Sequence, residues 1–250
     1  GVNVPLSIKL TTRELIFRIN HSGARFLFLS AHYLGMIQEI EPEIPEVERI
    51  FVFHYALPET GKYASFEQLK KTGCLYTSEY PEDLQKRTLA VKPDDVANIS
   101  YTSGTTAEPK GIMLSHGNFV SNVLQSDALI RIPEYFKILL FLPWDHSFAH
   151  TVGIYSFMYN GASLASVDFG KSSIESLRNI PVNMREIKPH LLLSVPALAK
   201  NFRKNIEAGI QQKGKMVQLL YKWSIKIGYR YHGSGNYQGK GIRYWLWPWV

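Results

Sequence analysis

Tyr101-Thr102-Ser103-Gly104-Thr105-Thr106-Ala107-Glu108-Pro109-Lys110-Gly111 lies between two apolar runs, Val96 to Ser100 and Ile112 to Leu114, and reads as a strand, a loop and a second strand. Five hydroxyl-bearing side chains occupy six positions, Gly104 lies beside them, and Lys110 follows six residues after that glycine. Small residues let a backbone come close to a ligand, hydroxyls and N–H groups donate hydrogen bonds, and a lysine adds positive charge. Together these suit a phosphate. A hydroxyl-rich surface turn is the plain alternative. The Gly104 to Lys110 spacing also matches the nucleotide loop G-x-x-x-x-G-K-[ST]. However, Pro109 stands where that loop has its second glycine, Gly111 stands where it has the Mg²⁺-binding hydroxyl, and Gly111-Ile112-Met113-Leu114 looks extended rather than helical.

On both sides of this loop, short apolar runs alternate with helical patterns. Before it, Val2 to Leu6, Phe26 to Leu29 and Ile50 to Phe53 read as strands. Thr11-Thr12-Arg13-Glu14 is a capping box for a helix that carries Leu15, Ile16 and Ile19 and stops at Gly23. Tyr33 to Ile40 reads as a weaker helix and Ser65 to Gln68 as the cap of a short one, while residues 54 to 64 and 76 to 95 read as surface connections. After the loop, Ser115 caps a helix through Phe119, Val123 and Leu124, whose positive N-terminus is expected near bound phosphate. Strands follow at Ile138 to Leu142, Ala162 to Val167 and Leu191 to Val195, with a capped helix starting at Ser172 to Glu175. The fold class is α/β, with open, largely parallel sheets covered by helices on both faces. The loop from Thr102 to Lys110 leaves the carboxyl end of a strand, where such sheets bind ligands.

The run from Tyr101 to Phe119, YTSGTTAEPKGIMLSHGNF, closely resembles the signature motif of the adenylate-forming superfamily of acyl-CoA synthetases, luciferases and peptide-synthetase adenylation domains. Ala107 departs from the glycine usual there. The resemblance implies that Thr102, Ser103, Gly104, Thr105, Thr106 and Lys110 hold ATP, wrapping the phosphates that leave as pyrophosphate, with Lys110 and Thr106 as the catalytic pair. It also implies Mg²⁺ as cofactor and CoA as co-substrate.

The segment Leu142-Pro143-Trp144-Asp145-His146-Ser147-Phe148-Ala149-His150 places two histidines four apart, as two metal ligands on a helix would be. It lacks the glutamate of H-E-x-x-H and any evident third ligand, so no metal site is assigned. In fatty acyl-CoA synthetases a similar Leu-Pro-x-x-His-x-Phe segment lies at the acyl pocket. The resemblance therefore implies that His146 and Phe148 flank the substrate carboxylate and that Trp144 stands near the pocket wall; the plain alternative is that the aromatics are core. Ser194-Val195-Pro196-Ala197-Leu198 resembles the strand-to-helix junction of the long-chain group, ahead of a helical insert, and separates this chain from luciferases and peptide-synthetase domains.

In that insert Met216, Leu219, Leu220, Trp223 and Ile227 fall at helical spacing among Lys215, Lys222, Lys226 and Arg230. Of 28 Lys and Arg and 21 Asp and Glu, residues 197 to 250 hold ten and one, which leaves 18 and 20 in residues 1 to 196. A basic amphipathic helix can lie on an anionic membrane or pack on the body with its charged face in water. No nucleic-acid recognition module accompanies the charge. No apolar run approaches the roughly 18 residues of a membrane span, and no signal peptide is visible. The single cysteine, Cys74, fits a reducing cytoplasm, with peripheral contact at the inner membrane surface through residues 197 to 230.

The expected organisation is residues 1 to 95 as first βα units, 96 to 196 as phosphate loop and acyl-pocket region, and 197 to 250 as a basic helical insert. All belong to a large N-terminal domain. The start at Gly1, the apolar close Tyr244 to Val250, and the absence of the family's later motifs and C-terminal domain are expected of a piece cut from a fatty acid–CoA ligase and inactive by itself. The alternatives are a non-catalytic nucleotide-, lipid- or membrane-binding module, or another adenylate-forming enzyme. Acyl chain length and oligomeric state are not legible.

Overall fold

The structure, a computed structural model, describes residues 1–55, 60–102, 109–168 and 173–232. The chain divides into two compact units, Gly1–Leu193 and Ser194–Val250.

The first unit opens with a single rung. Asn3 N–H donates to Ala97 at 2.9 Å and the Asn3 carbonyl accepts from Ile99 N–H at 2.9 Å, so the strand expected over Val2 to Leu6 shrinks to one bridging residue. Helix α1, Thr12–His21, has the capping box expected of Thr11 and Glu14. It ends where expected: Gly23 adopts φ 62°, Ala24 N–H reaches the Ile19 carbonyl at 3.1 Å, and Gly23 N–H reaches Asn20 at 3.1 Å. This is the left-handed helix stop that glycine adopts without a Cβ clash.

Strand β1, Phe26–Ser30, a tight turn over Ala31–Tyr33 and helix α2, Leu34–Ile40, lead to β2, Arg49–Phe53. Strand β3, Tyr63–Ser65, begins inside the expected connection, and the three strands pair in parallel in the order β1-β2-β3. Leu27 and Ile50 face Leu15, Ile19, Ile37 and Ile40 of the two helices. A fully buried aliphatic side chain of this kind contributes about 1.5–3 kcal/mol. The opposite face carries Phe28, Phe51 and Phe53 against Phe66. Cover on both faces holds for β2, whose three central residues are buried, but Phe26 and Phe28 on the edge strand β1 are half-exposed.

The helix capped by Ser65 is longer than expected: α3 runs Phe66–Glu79 and is followed by α4, Asp83–Leu89, where a connection was read. Both helices are polar with no buried residue, so apolar periodicity could not reveal them. Tyr76 Oη donates to Asp83 at 2.8 Å, and Arg87 bonds the same carboxylate at 2.6 Å.

Strands β4, Val96–Tyr101, and β5, Gly111–Ser115, form the expected strand-loop-strand as an antiparallel hairpin. Ser115 and Asn118 then form a capping box for α5, His116–Leu129. Strand β6, Lys137–Leu140, pairs in parallel with β7, Ser163–Ser166. Between them a π-helical turn, Ala149–Tyr155, runs into α6, Ser156–Tyr159. The helix read after Ser172 is α7, Ser173–Ile187; Ser172 lies outside the described residues. The strand expected at Leu191 to Val195 is reduced to one parallel bridge from Leu191 to Ile138. Leu191 and Leu193 nevertheless pack with Ile138, Leu140 and Phe157 in a second core.

In the second unit Val195 is extended, Pro196 opens α8, Pro196–Gln211, and α9 spans Lys215–His232. Pro196 suits a first helical position, where its missing N–H costs nothing. Ile227 of the α9 stripe is buried, whereas Met216, Leu219 and Leu220 are exposed. No described helix is long and apolar enough to cross a membrane.

Gly23→Ala places a Cβ at positive φ and is expected to lower stability by about 1–2 kcal/mol. Urea titration should show a lower midpoint with an unchanged m-value, since the compactness of neither state changes.

Candidate functional site

The hairpin brings Thr102 and Lys110 together. Thr102 N–H donates to the Lys110 carbonyl at 3.1 Å, one step beyond the Tyr101–Gly111 rung, and both side chains are exposed. Ser103, Gly104, Thr105 and Thr106 lie outside the described residues. A Cβ on Gly111 would stand 3.1 Å from Ile99 Cγ2 and 3.3 Å from two Tyr101 ring carbons. The glycine that excludes a Mg²⁺-binding hydroxyl here thus makes room for the neighbouring ring. Burial pushes the Tyr101 phenol above its ordinary range.

Helix α5 does not point its N-terminus at the loop. Ser115 pairs with Val96, His116 N–H donates to Asp95 at 3.0 Å, and Gly117 N–H to Pro93 at 2.7 Å. The helix start sits at the far end of β5 from Gly111, four strand steps or about 14 Å away. The dipole expected near phosphate is therefore directed elsewhere, because the antiparallel return carries the chain back before the helix begins.

Trp144, His146 and Phe148 lie on the segment entering the π-helical turn, and all three are exposed rather than core. His146 Nδ1 accepts from the Phe148 N–H at 3.2 Å, which leaves the proton of a neutral ring on Nε2. His150 serves differently: its ring stacks on Tyr155 at 5.9 Å and 14°. Burial holds its pKa below the usual histidine range, opposed in part by Asp145. The extra residue of the π turn is carried by Ser156, whose N–H and Oγ both donate to the Thr151 carbonyl, the latter at 3.0 Å. Such turns often occur at functional sites. The turn lies so close to β6 that a Cβ on Gly153 would stand 2.8 Å from Leu140 Cδ2.

Among the described residues, no hydrogen bond or ring contact joins Thr102 or Lys110 to Trp144, His146 or Phe148. Helix α5 links the two regions, since it follows β5 and its Phe119 meets Tyr155 edge-on at 5.3 Å. Sequence reasoning missed Gly153 and the contacts of Tyr101 with α1. Neither the spacing around Gly153 nor that around Tyr101 carries a signal for them.

The antiparallel hairpin and the parallel strand pairs with their helices define a mixed α/β domain. The chain belongs to the AMP-binding enzyme family, whose model matches residues 1–228. It is similar to Long chain acyl-CoA synthetase 6, peroxisomal, of Arabidopsis thaliana, 26% identical over 220 residues, covering 88% of this chain and 30% of that protein. Long-chain-fatty-acid–CoA ligase 4 of Saccharomyces cerevisiae is 33% identical over 136 residues, covering 54% of this chain and 19% of that protein. The chain thus spans under a third of the length of these relatives. Coronafacic acid ligase from Pectobacterium brasiliense shares the fold with a TM-score of 0.62 at 22% identity, covering 86% of this chain and 38% of that one.

Gly153→Val forces Leu140, itself buried in the second core, to move, and is expected to lower stability by about 1–3 kcal/mol in thermal or urea unfolding. For His150 the folded pKa lies below the unfolded one, so the unfolded chain takes up the proton first and stability falls as pH drops through about 6.5. His150→Gln should flatten that part of the stability profile between pH 5 and pH 7, followed by urea unfolding at each pH.

Proposed function

We propose that this chain is the early and middle part of the N-terminal domain of an ATP-dependent acid–thiol ligase of the long-chain fatty acid–CoA kind. The hairpin mouth closed by Thr102 N–H and the Lys110 carbonyl carries the reading, because it holds an exposed ammonium beside the hydroxyl-rich loop. The names of the relatives, long-chain acyl-CoA synthetase and long-chain fatty acid–CoA ligase, support the substrate class.

In the reaction a carboxylate oxygen attacks the α-phosphorus of ATP, the bond to the bridging oxygen breaks and pyrophosphate leaves. The CoA thiol then attacks the acyl carbonyl, giving the thioester and AMP. The need is for charge neutralisation rather than a protein nucleophile. Lys110 opposes the charge that grows on pyrophosphate, and Thr102, Ser103, Gly104, Thr105 and Thr106 contribute loop donors. His146 offers its Nε2–H toward the carboxylate, with Phe148 and Trp144 lining the start of the acyl chain. Mg²⁺ would enter on the nucleotide phosphates, as it commonly does. The described residues gather no group of three His, Cys, Asp or Glu to hold it, so no step is assigned to it.

Exchange of pyrophosphate into ATP, run over short to long fatty acids, tests this. The intact protein should exchange with long acids, and these 250 residues by themselves should not. Lys110→Ala is expected to lower the exchange rate about a hundredfold. Exchange independent of the acid, or unchanged in that variant, would remove the proposed role.

A peripheral membrane role for residues 197 to 230, at the cytoplasmic surface, is favoured by α9, where Met216, Leu219, Leu220 and Trp223 are exposed among lysines. Cosedimentation should show binding to vesicles with anionic lipid that weakens with salt and with Leu219→Asp. Equal binding to neutral vesicles would argue against the charge contribution.

A further inference from the structure

Tyr101 stands where the β4–β5 ladder gives way to the loop, and contacts from α1 converge on its side chain. Its hydroxyl lies 2.9 Å from Nδ1 of His21 and donates toward the Arg18 carbonyl at 3.4 Å. The Arg18 guanidinium carbon is 5.5 Å from the ring centroid, and the His21 ring meets the Tyr101 ring edge-on at 5.8 Å. The same tyrosine ring covers Gly111 across the ladder, where a Cβ would come within 3.3 Å of it.

Arg18 makes this arrangement unusual. It is 6% exposed, and its Nε is buried without a hydrogen-bond partner. Among the described residues no ion pair engages it. The Glu14 carboxylate, one turn earlier on α1, feels its charge through space, but a buried guanidinium held in no ion pair still carries a desolvation cost that an apolar side chain of similar size would avoid. Packing alone therefore gives no reason for the charge. An aromatic face attracts a cation more strongly when that cation is desolvated.

We infer that α1 holds the phosphate loop in register through Tyr101, with Tyr101, His21 and Arg18 as positioning residues for the loop. Tyr101 is covalently joined to Thr102, whose N–H closes the loop on the Lys110 carbonyl at 3.1 Å. Through its ring it also holds Gly111, the next residue after Lys110. A tyrosine fixed by α1 thus fixes both ends of the loop and the position from which the Lys110 side chain departs. The inference rests on the reading of that loop as the site for the ATP phosphates.

Tyr101→Phe keeps the ring with its contacts to Arg18 and Gly111 and removes only the hydroxyl. In the intact protein it should speed hydrogen exchange at the Thr102 amide. It should also raise the KM for ATP about three- to tenfold, with the KM for the carboxylic acid held within about twofold. His21→Ala should behave alike, and His21→Asn, whose amide can stand in for Nδ1, should recover most of the loss. Unchanged exchange at Thr102 together with an unchanged KM for ATP in Tyr101→Phe overturns the inference. An equal rise of both KM values with a lowered melting temperature also overturns it, since that is what a merely structural contact gives. Wild-type protein lacking carboxylate-dependent pyrophosphate exchange would instead sink the proposed reaction, while the Thr102 amide would still show whether α1 holds the loop.

Discussion

The antiparallel closure of β5 on β4 is the constraint on which the rest of the site depends. A ladder fixes residues in pairs, so once Tyr101 stands opposite Gly111, Thr102 and Lys110 must face one another at the start of the loop. The loop therefore leaves and rejoins the ladder at paired positions, Thr102 and Lys110. The same closure sends the chain back toward Asp95 before α5 starts, which is why that helix caps the far end of the hairpin.

Around this hairpin the two cores serve as platforms. The first is built from α1, α2, β1 and β2, and it holds the helix whose last turn reaches Tyr101. The second, around Ile138, Leu140 and Phe157, seats the π-helical turn so closely that Gly153 has no space for a side chain. Well-packed cores deform little. Residues borne on their edges, such as His146 and Phe148, can therefore be exposed and still be placed. Trp144, His146 and Phe148 are exposed and belong to neither described core cluster.

Family membership and site chemistry rest on different kinds of support. The family model runs across nearly all of the chain, whereas the likeness to solved structures speaks for the fold. The proposed chemistry rests on residue types at particular places: a lysine at a hairpin mouth, and a histidine whose Nδ1 is occupied so that its Nε2 carries the proton.

What the sequence determined by itself was whatever depends on neighbours along the chain. The cap at Thr11, the stop at Gly23 and the alternation of apolar runs with helical patterns are local, and each is present in the structure; the hydroxyl-rich loop is equally local, with Thr102 and Lys110 described and Ser103 to Thr106 outside the described residues. The length of α3 and the whole of α4 escaped notice because neither helix buries an apolar stripe, the one feature a periodicity can reveal. The strands read at Val2 to Leu6 and Leu191 to Val195 shrank to single bridges for the converse reason: Leu6, Leu191 and Leu193 pack half-buried against the cores without a continuous ladder. Only the tertiary structure decided which way α5 points, that Gly111 lies beneath the Tyr101 ring, and that Arg18 and His21 reach that tyrosine from some eighty residues earlier. These are pairings across space, set by register and by the packing of one element on another, and no local pattern of residues encodes them.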